Sequence, residues 1–427
     1  MRARAAAALV VLGVTAVALG VLPKAAPQRG YDAGAHIAYA EVLKTQGRLP
    51  TKAESYEYAT PPAYAWLAVQ LQRTADATGG LGAWRAGQLL SILWTAGLLA
   101  VAWLLGRELW PGRPWAAVLA VTATATVPIV LRLGVMFHPE MQFAFLAALG
   151  VLLVVRAERR GWPLRYGAAA GVALGLAALT RQTAVVVTAS LGLAVLLAGR
   201  RRALRFAAVA AAAVAMTAGP WWGYQASRFG NPIQSNLSRY ILPGGQPREF
   251  YVSAPVEDLV LHPYRPHFAG ELWPQFHADL WSDWFGAQHD YWPKPPRGAT
   301  AVFVSSQSVL GLVATALALG GLGGLARAGL QGLRRPEPGE GAFAGLAFLL
   351  LVLASWAAFV AQLIRFPQGG GDPIKSSYML YLSPVFALAA VAAARRLWAG
   401  GRGWRAVLSL FAAIYAASYA GFLVTAY

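Results

Sequence analysis

Long apolar segments alternate with short polar ones along most of the chain. A helix crosses a bilayer with about 20 apolar residues. Segments of about this length cover positions 5–22, 83–105, 114–131, 139–155, 166–180, 182–198, 206–224, 301–325, 342–364, 379–394 and 406–424. The pattern predicts an all-α polytopic membrane protein with about 11 transmembrane helices. The close spacing within 114–155 and within 166–198 leaves open that one of these segments is re-entrant.

Two polar stretches are much longer than the other connections. Positions 23–82 form the first predicted outer loop, positions 225–300 form a second one rich in Trp and Tyr, and 365–378 form a short third one. The segment 326–341 reads as a flexible inner linker. We predict a single transmembrane domain over 1–427.

The first outer loop carries its own helical pattern. Ala35, Tyr39 and Val42 share one helical face, His36 and Lys44 lie off that face, and Gly47 supplies an end. A second helix is expected to start at Thr60-Pro61, because proline favours the first helical turn. We predict that both helices lie on the membrane surface.

Composition agrees with the membrane assignment and adds an orientation. Hydrophobic residues make up 57% of the chain and charged residues 13%, against about 25% charged in soluble domains. The net charge is +18, but 19 of the 36 basic residues and only 4 of the 18 acids fall in alternate, short connections. This bias predicts a cytoplasmic N-terminus, with the long loops outside an inner or plasma membrane. It also argues against nucleic-acid binding.

The absence of Cys and the nature of the first apolar segment each restrict the interpretation of the sequence. The chain has no Cys, so it has neither disulfides nor a Cys-based metal site or nucleophile. Positions 1–22 can be interpreted as a cleaved signal peptide. The charge bias favours an uncleaved first helix instead, since removing it would leave the alternation without its first crossing.

Positions 30–64 carry the most specific motif. They contain GYDAGAHIAY at 30–39, GRLP at 47–50 and YEYATPPAY at 56–64. From the residues alone, Asp32 is equally a helix N-cap and a general base near the membrane. The block resembles the first outer loop of GT-C membrane glycosyltransferases, especially the family 39-like protein mannosyltransferases and the lipid A aminoarabinose transferases.

The resemblance implies a function and a catalytic residue. It implies an inverting transfer of a hexose or pentose from a polyprenyl-phosphate donor to a hydroxyl on the extracytoplasmic face, with Asp32 as base. The acceptor stays open between a glycolipid, a polysaccharide and a protein. Two positions depart from the family pattern: Ala33 stands where an acid is common, and Thr60 where aminoarabinose transferases have Lys.

Further candidates come from acids, histidine and cations in predicted outer segments. Each also has an ordinary structural interpretation, such as helix initiation for Glu140 or snorkelling for Arg181. Phosphate requires fixed positive charge, for which Arg239 is a further candidate. The predicted substrate-binding residues are Glu57, Arg132, His138, Glu140, Arg181, Asp283, Arg365, Lys375 and Tyr378.

Rival functions are distinguished by features of the chain. A flippase or transporter of a lipid-linked glycan would need charged groups at mid-membrane, whereas most acids here fall in predicted loops. A non-catalytic polyprenyl-lipid-binding scaffold stays open because Ala33 interrupts the acidic pair. An enzyme using diphosphate-linked glycans is a further alternative. No cofactor is implied, a divalent cation stays open, and nucleotide-binding glycine motifs are absent from the sequence.

Overall fold

A computed structural model describes residues 1–199, 201–234, 236, 245–265, 271–286, 294–333, 341–367 and 374–426. The regular elements within these ranges are helices, which confirms the all-α prediction. In chain order they are α1 (Arg2–Val21), α2 (Ala33–Gln46), α3 (Ala63–Thr78), α4 (Arg85–Leu109), α5 (Pro114–Ala125), α6 (Pro128–Gly134), α7 (Glu140–Arg159), α8 (Leu164–Ala178), α9 (Ala184–Leu197), α10 (Arg201–Phe229), α11 (Arg248–Val252), α12 (Val256–Leu261), α13 (Leu272–Trp281), α14 (Gly298–Gly332), α15 (Ala342–Arg365), α16 (Ser383–Ala399) and α17 (Arg402–Ala426), with a 3-10 segment (Ser376–Leu382) leading into α16.

Eight helical stretches in the described part of the chain are long and apolar enough to cross a membrane. They are α1, α4, α7, α10, α14, α15, the 3-10 segment with α16, and α17. The polytopic prediction is therefore confirmed, while the count of eleven is not. The remaining predicted spans correspond to the bent pair α5–α6 and to α8 and α9, which are shorter apolar helices.

The predicted span 114–131 is broken near its end. The axes of α5 and α6 differ by 65°, and the break comes directly before Pro128. Val127 is extended, with φ −70° and ψ 117°, as expected for a residue preceding proline. Because proline lacks a backbone N–H and crowds the preceding turn, the helix restarts in a new direction and carries Arg132 into the protein interior.

The first outer loop contains the two predicted helices, α2 and α3. Gly47 ends α2 with φ 66°, a conformation that glycine adopts without steric cost. Their location on a membrane surface stays a prediction. His36, which lies off the predicted apolar face, is nevertheless buried, with 4% exposure, because its ring packs against His138, which precedes α7.

Loop two begins at a turn centred on Gly230. Gly230, with φ 70°, follows the last residue of α10, and its N–H donates to the carbonyl of Ala226. Beyond this turn, α13 packs against both α6 and the 3-10 segment. The described helix α13 of loop two is thereby held against α6 and against the 3-10 segment that leads into α16.

Candidate functional site

Asp32 lies at the start of α2 without capping it. Its backbone carbonyl accepts hydrogen bonds from the N–H groups of Ala35 and His36, but its carboxylate makes no capping hydrogen bond. Lys375 Nζ donates to Oδ2 at 2.5 Å and Tyr56 OH donates to Oδ1 at 2.7 Å. The side chain keeps 22% exposure, so it is paired but still accessible.

The electrostatics of Asp32 are set by opposing effects. Burial favours the neutral carboxyl and raises its pKa, whereas the Lys375 charge and the hydrogen bonds from Lys375 and Tyr56 lower it. The lowering effects dominate, and the pKa of Asp32 is held well below its usual range. Asp32 is therefore ionised at neutral pH, and it is a weak base for as long as Lys375 stays paired with it.

A second charged group is built around Arg181, which follows α8. Its Nε and Nη2 donate to the two oxygens of Glu140 at 2.6 and 2.5 Å, a bidentate pair, and its Nη1 lies 3.7 Å from Glu57 Oε2. Glu57 also accepts hydrogen bonds from Thr60 and Asn236. Burial raises the pKa of Glu57, although the Arg181 charge opposes this.

Two histidines lie between these charged groups. The rings of His36 and His138 meet edge to face, with centroids 4.9 Å apart, and His138 Nδ1 is 3.4 Å from Glu140 Oε2. Burial, the nearby His138 and the Arg181 charge lower the pKa of His36. His36 is therefore neutral at neutral pH.

These contacts join seven of the predicted residues into one cluster. Tyr378 belongs to it, since the charges of Lys375, Asp32, Arg181 and Glu140 all act on its phenol. We call this group the acidic–basic cluster. Its predicted members are Asp32, Glu57, His138, Glu140, Arg181, Lys375 and Tyr378, joined by His36 and Tyr56.

Arg132 and Asp283 occupy a different, fully buried network. Arg132 is 1% exposed and donates to Asp283 Oδ1 at 3.0 Å and to Asp279 Oδ1 at 2.9 Å. It also donates to the Tyr31 hydroxyl, and that hydroxyl donates to Asp279 at 2.5 Å. Arg132, which was predicted to bind substrate, is thus paired with two acids inside the protein. Its contacts with Asp283 and Asp279 join α6 to the described part of loop two.

The buried network supports the acidic–basic cluster from behind. Asp279 Oδ2 accepts hydrogen bonds from the N–H and the hydroxyl of Ser376, at 2.8 and 2.7 Å. Ser376 directly follows Lys375, whose ammonium lies over the Tyr31 ring at 5.8 Å. Asp279 and Tyr31 therefore hold the backbone and the charged end of Lys375 near Asp32.

Arg365, one of the predicted phosphate cations, lies away from this cluster. Arg365 is exposed at the end of α15, and its guanidinium lies 5.4 Å from the Phe366 ring centroid. It is not among the residues that join the acidic–basic cluster in the described part of the chain. Arg239 and the glycine-rich positions 369–373 lie outside the described residues.

Sequence reasoning missed four residues of this region: Tyr31, His36, Tyr56 and Asp279. A signal existed for His36, since it follows Asp32 by four positions and such residues share a helix face. Tyr31 and Tyr56 lie inside the quoted motif. Asp279 had no local signal, because its partners Arg132 and Ser376 are 147 and 97 positions away.

The chemistry available here is acid–base and electrostatic. An accessible carboxylate adjoins a primary ammonium, a guanidinium, phenols and neutral imidazole. No group of three or more His, Asp or Glu side chains arranged to hold a metal ion occurs among the described residues.

A family model supports the resemblance seen in the first outer loop. The model described as dolichyl-phosphate-mannose-protein mannosyltransferase matches residues 60–224. This region is less than half of the chain; it contains His138, Glu140 and Arg181, and Asp32 precedes it. No curated protein matches the chain.

Solved structures share the fold. The Archaeoglobus fulgidus oligosaccharyltransferase, in complex with Zn and sulfate, has 16% identity and a TM-score of 0.55, and the match covers 98% of this chain and 53% of that one. The archaeal oligosaccharyltransferase AglB from the same organism, in complex with an inhibitory peptide and a dolichol-phosphate, has 14% identity, a TM-score of 0.53 and coverage of 98% and 56%. ArnT from Cupriavidus metallidurans, bound to undecaprenyl phosphate, has 16% identity and a TM-score of 0.44, and the match covers 92% of this chain and 78% of that one.

These comparisons confirm the resemblance to GT-C membrane glycosyltransferases at the level of the fold and of the matched segment. The chain spans only a little more than half the length of the archaeal oligosaccharyltransferases. Activity, donor and acceptor are therefore taken up as proposals.

Proposed function

We propose that this protein transfers a sugar from a polyprenyl-phosphate donor to an acceptor hydroxyl on the extracytoplasmic face of the membrane. The observation that carries the proposal is Asp32: an accessible, ionised carboxylate, hydrogen-bonded to Lys375 and Tyr56, one helical turn before His36, on which the Arg181 charge also acts. The family description over 60–224 and the dolichol-phosphate bound to a fold relative support a donor of this kind.

The reaction is written as one displacement. The acceptor oxygen attacks the anomeric carbon while its O–H bond breaks and the proton passes to Asp32. The bond from the anomeric carbon to the phosphate oxygen breaks at the same time, and the electron pair leaves with the polyprenyl phosphate. Attack opposite to the leaving group inverts the anomeric configuration.

Lys375 links donor binding to the strength of the base. A phosphate carries strong acceptor oxygens and competes with Asp32 for the ammonium. When Lys375 turns to the phosphate, Asp32 loses the two largest effects that lower its pKa, the Lys375 charge and hydrogen bond, and it becomes a stronger base with the donor in place. Arg181 offers Nη1 as a second cationic contact, since its other donors are occupied by Glu140.

Six further predicted residues are assigned as follows in this proposal. Glu57 and Glu140 orient Arg181, and Tyr378 lines the donor side. Arg132 and Asp283 act as structural supports, and Arg365 is left without a phosphate contact. The transferred sugar and the class of acceptor stay open between a hexose and a pentose, and between glycolipid, polysaccharide and protein.

The test uses the protein in lipid nanodiscs with radiolabelled polyprenyl-phosphate mannose, glucose and arabinose. Wild type is expected to turn over one donor, by transfer to an added envelope extract or by slow hydrolysis. Asp32→Asn is expected to lower that rate by about 10²- to 10⁴-fold, the usual contribution of a general base. Glu54→Gln is the matched control, since Glu54 is a loop-one acid paired with Arg48, and it should keep the wild-type rate.

Turnover that survives Asp32→Asn would remove Asp32 from its catalytic role. Binding of a donor without turnover in wild type, with extract present, would instead favour a carrier or a scaffold for lipid-linked sugars.

A further inference from the structure

The two histidines of the acidic–basic cluster have unused hydrogen-bonding capacity. His36 and His138 are 4% and 1% exposed. Neither Nε2 has a hydrogen-bond partner within the described part of the chain. A buried polar atom without a partner costs free energy, so two such atoms on contacting rings indicate a site completed by something bound there.

The surroundings of the two histidines limit which chemical group can bind to them. His36 lies one helical turn from Asp32, and the charges of Asp32, Glu140, Arg181 and His138 all act on it. His138 Nδ1 faces Glu140 Oε2 at 3.4 Å, and its ring lies 6.2 Å from the Tyr31 ring. The cations and acids around the pair already neutralise one another, so the pair lies where a neutral polar group fits better than another ion.

The chemistry of imidazole suits a hydroxyl group. A neutral imidazole presents one nitrogen as donor and the other as acceptor, according to its tautomer. A hydroxyl both donates and accepts. The free Nε2 atoms of two adjacent imidazoles can make two hydrogen bonds with one hydroxyl, or one hydrogen bond with each of two neighbouring hydroxyls of one sugar.

We propose that His36 and His138 form a hydroxyl-binding pair that holds a sugar hydroxyl beside Asp32. This inference rests on the proposed glycosyl transfer. The hydroxyl belongs either to the sugar of the donor or to the acceptor, and the two sources are distinguished by the experiment. His36 acts as a binding residue in this proposal, and Asp32 alone takes the proton.

The first measurement compares lipid affinities in nanodiscs. Undecaprenyl phosphate and its mannosyl, glucosyl and arabinosyl derivatives are each titrated against wild type. The affinity gained from a sugar is the dissociation constant of undecaprenyl phosphate divided by that of its sugar derivative. If the donor sugar is the ligand, His36→Phe should reduce this ratio by about three- to tenfold, the loss of one neutral hydrogen bond. His36→Gln, which keeps a polar nitrogen, should retain part of the gain.

A second measurement tests the acceptor. If the acceptor hydroxyl is the ligand, His36→Phe should leave the lipid ratio unchanged and raise the apparent KM for octyl mannoside. The matched control is His277→Gln, because His277 is a half-buried histidine whose Nε2 already lies 2.9 Å from the carbonyl of Ser308. It should change neither quantity.

Stability separates binding from a structural role. His36→Phe removes an unpaired buried nitrogen, so its thermal midpoint should equal or exceed that of wild type while binding weakens. A lower midpoint with unchanged sugar binding in both His36→Phe and His138→Phe would overturn the inference. Sugar binding that requires added Zn²⁺ and is abolished by EDTA would overturn it too, because the pair would then be a metal ligand set.

Failure of the proposed function can be distinguished from failure of the hydroxyl-binding pair. If wild type binds none of the polyprenyl phosphates, the donor class is wrong. If wild type binds and uses a donor while the histidine variants behave like wild type, only the hydroxyl-binding pair is wrong.

Discussion

Lys375 holds Asp32 in its ionised state, and this relation can be tested by pH. Tyr56, His36, Glu57 and Tyr378 also face Asp32, but the Lys375 charge is the largest effect that lowers its pKa. Without it, burial dominates and the pKa rises. The base works when deprotonated, so Lys375→Met should move the acidic limb of kcat/KM to higher pH.

Lys375→Arg keeps the charge and should keep the wild-type limb, which lies below the usual carboxyl range of about 4. Lys375→Arg, which can still hold phosphate, should raise the donor KM less than about tenfold. Lys375→Met, which cannot, should raise it by about tenfold or more. An acidic limb that is identical in wild type and Lys375→Met would separate Lys375 from the titration of Asp32.

Arg181 and Glu140 are expected to behave as a pair. Arg181→Met leaves Glu140, which is 1% exposed, without its bidentate partner, and breaking a buried ion pair this way costs about 3–5 kcal/mol. The double variant Arg181→Met with Glu140→Gln removes both charges and should recover most of the stability. Thermal unfolding of the single and double variants measures the recovery, and donor KM should stay raised in both.

Recovery of donor affinity together with stability would show that Arg181 has no contact with the phosphate. The cycle thus separates the structural contribution of the pair from its contribution to binding.

At this scale, prediction from the sequence succeeds where the residues are close along the chain. Asp32, Glu57 and Thr60 all lie in one quoted motif. Lys375 was singled out only as a phosphate cation, because nothing local indicates that it meets Asp32, 343 positions earlier. Arg132 was expected to face outward, since its two buried acid partners come from loop two, far along the chain.

Close helix packing depends on particular glycines. A Cβ added at Gly321 in α14 would lie 1.7 Å from the carbonyl oxygen of Ala389 in α16, whereas a Cβ at Gly320 would meet nothing within 4 Å. Gly321→Ala should destabilise the protein by about 1–3 kcal/mol through overpacking. Gly320→Ala should be neutral or stabilise by up to about 1 kcal/mol through helix propensity.

The two variants add the same methyl group at neighbouring positions of one helix, so their thermal unfolding midpoints can be compared directly. Equal midpoints would mean that α14 and α16 do not pack at this distance. The effect of Gly321→Ala should also reach the site, because α16 continues the 3-10 segment that follows Lys375.

Helices as elements were largely predictable, and their directions were not. Apolar length and Gly47 indicated elements and a helix end that the structure contains. Pro128 marks the break in the predicted span 114–131, but nothing in the apolar pattern indicated the 65° change of direction or the packing of α6 against α13, which lies far along the chain. The connection between the short helices α8 and α9 contains Arg181.

At the scale of the whole molecule, α7 connects the two ends of the fold. It begins at Glu140 in the acidic–basic cluster and ends at Arg159 after 20 residues, a length of about 30 Å, which equals the hydrocarbon thickness of a bilayer. At its far end Arg156 and Arg160 pair with Glu108 of α4. The cluster and this basic end are thus separated by about one membrane thickness.

This separation makes the predicted orientation testable with a single reagent. The chain has no Cys, so each introduced thiol is the only one present. Lys52 in the first outer loop and Arg113 before α5 are both exposed. A membrane-impermeant maleimide should label Lys52→Cys in intact cells and Arg113→Cys only after lysis, because the basic connections favour the cytoplasm. The reverse pattern would put the acidic–basic cluster in the cytoplasm, where the proposed transfer would have to meet a cytoplasmic acceptor.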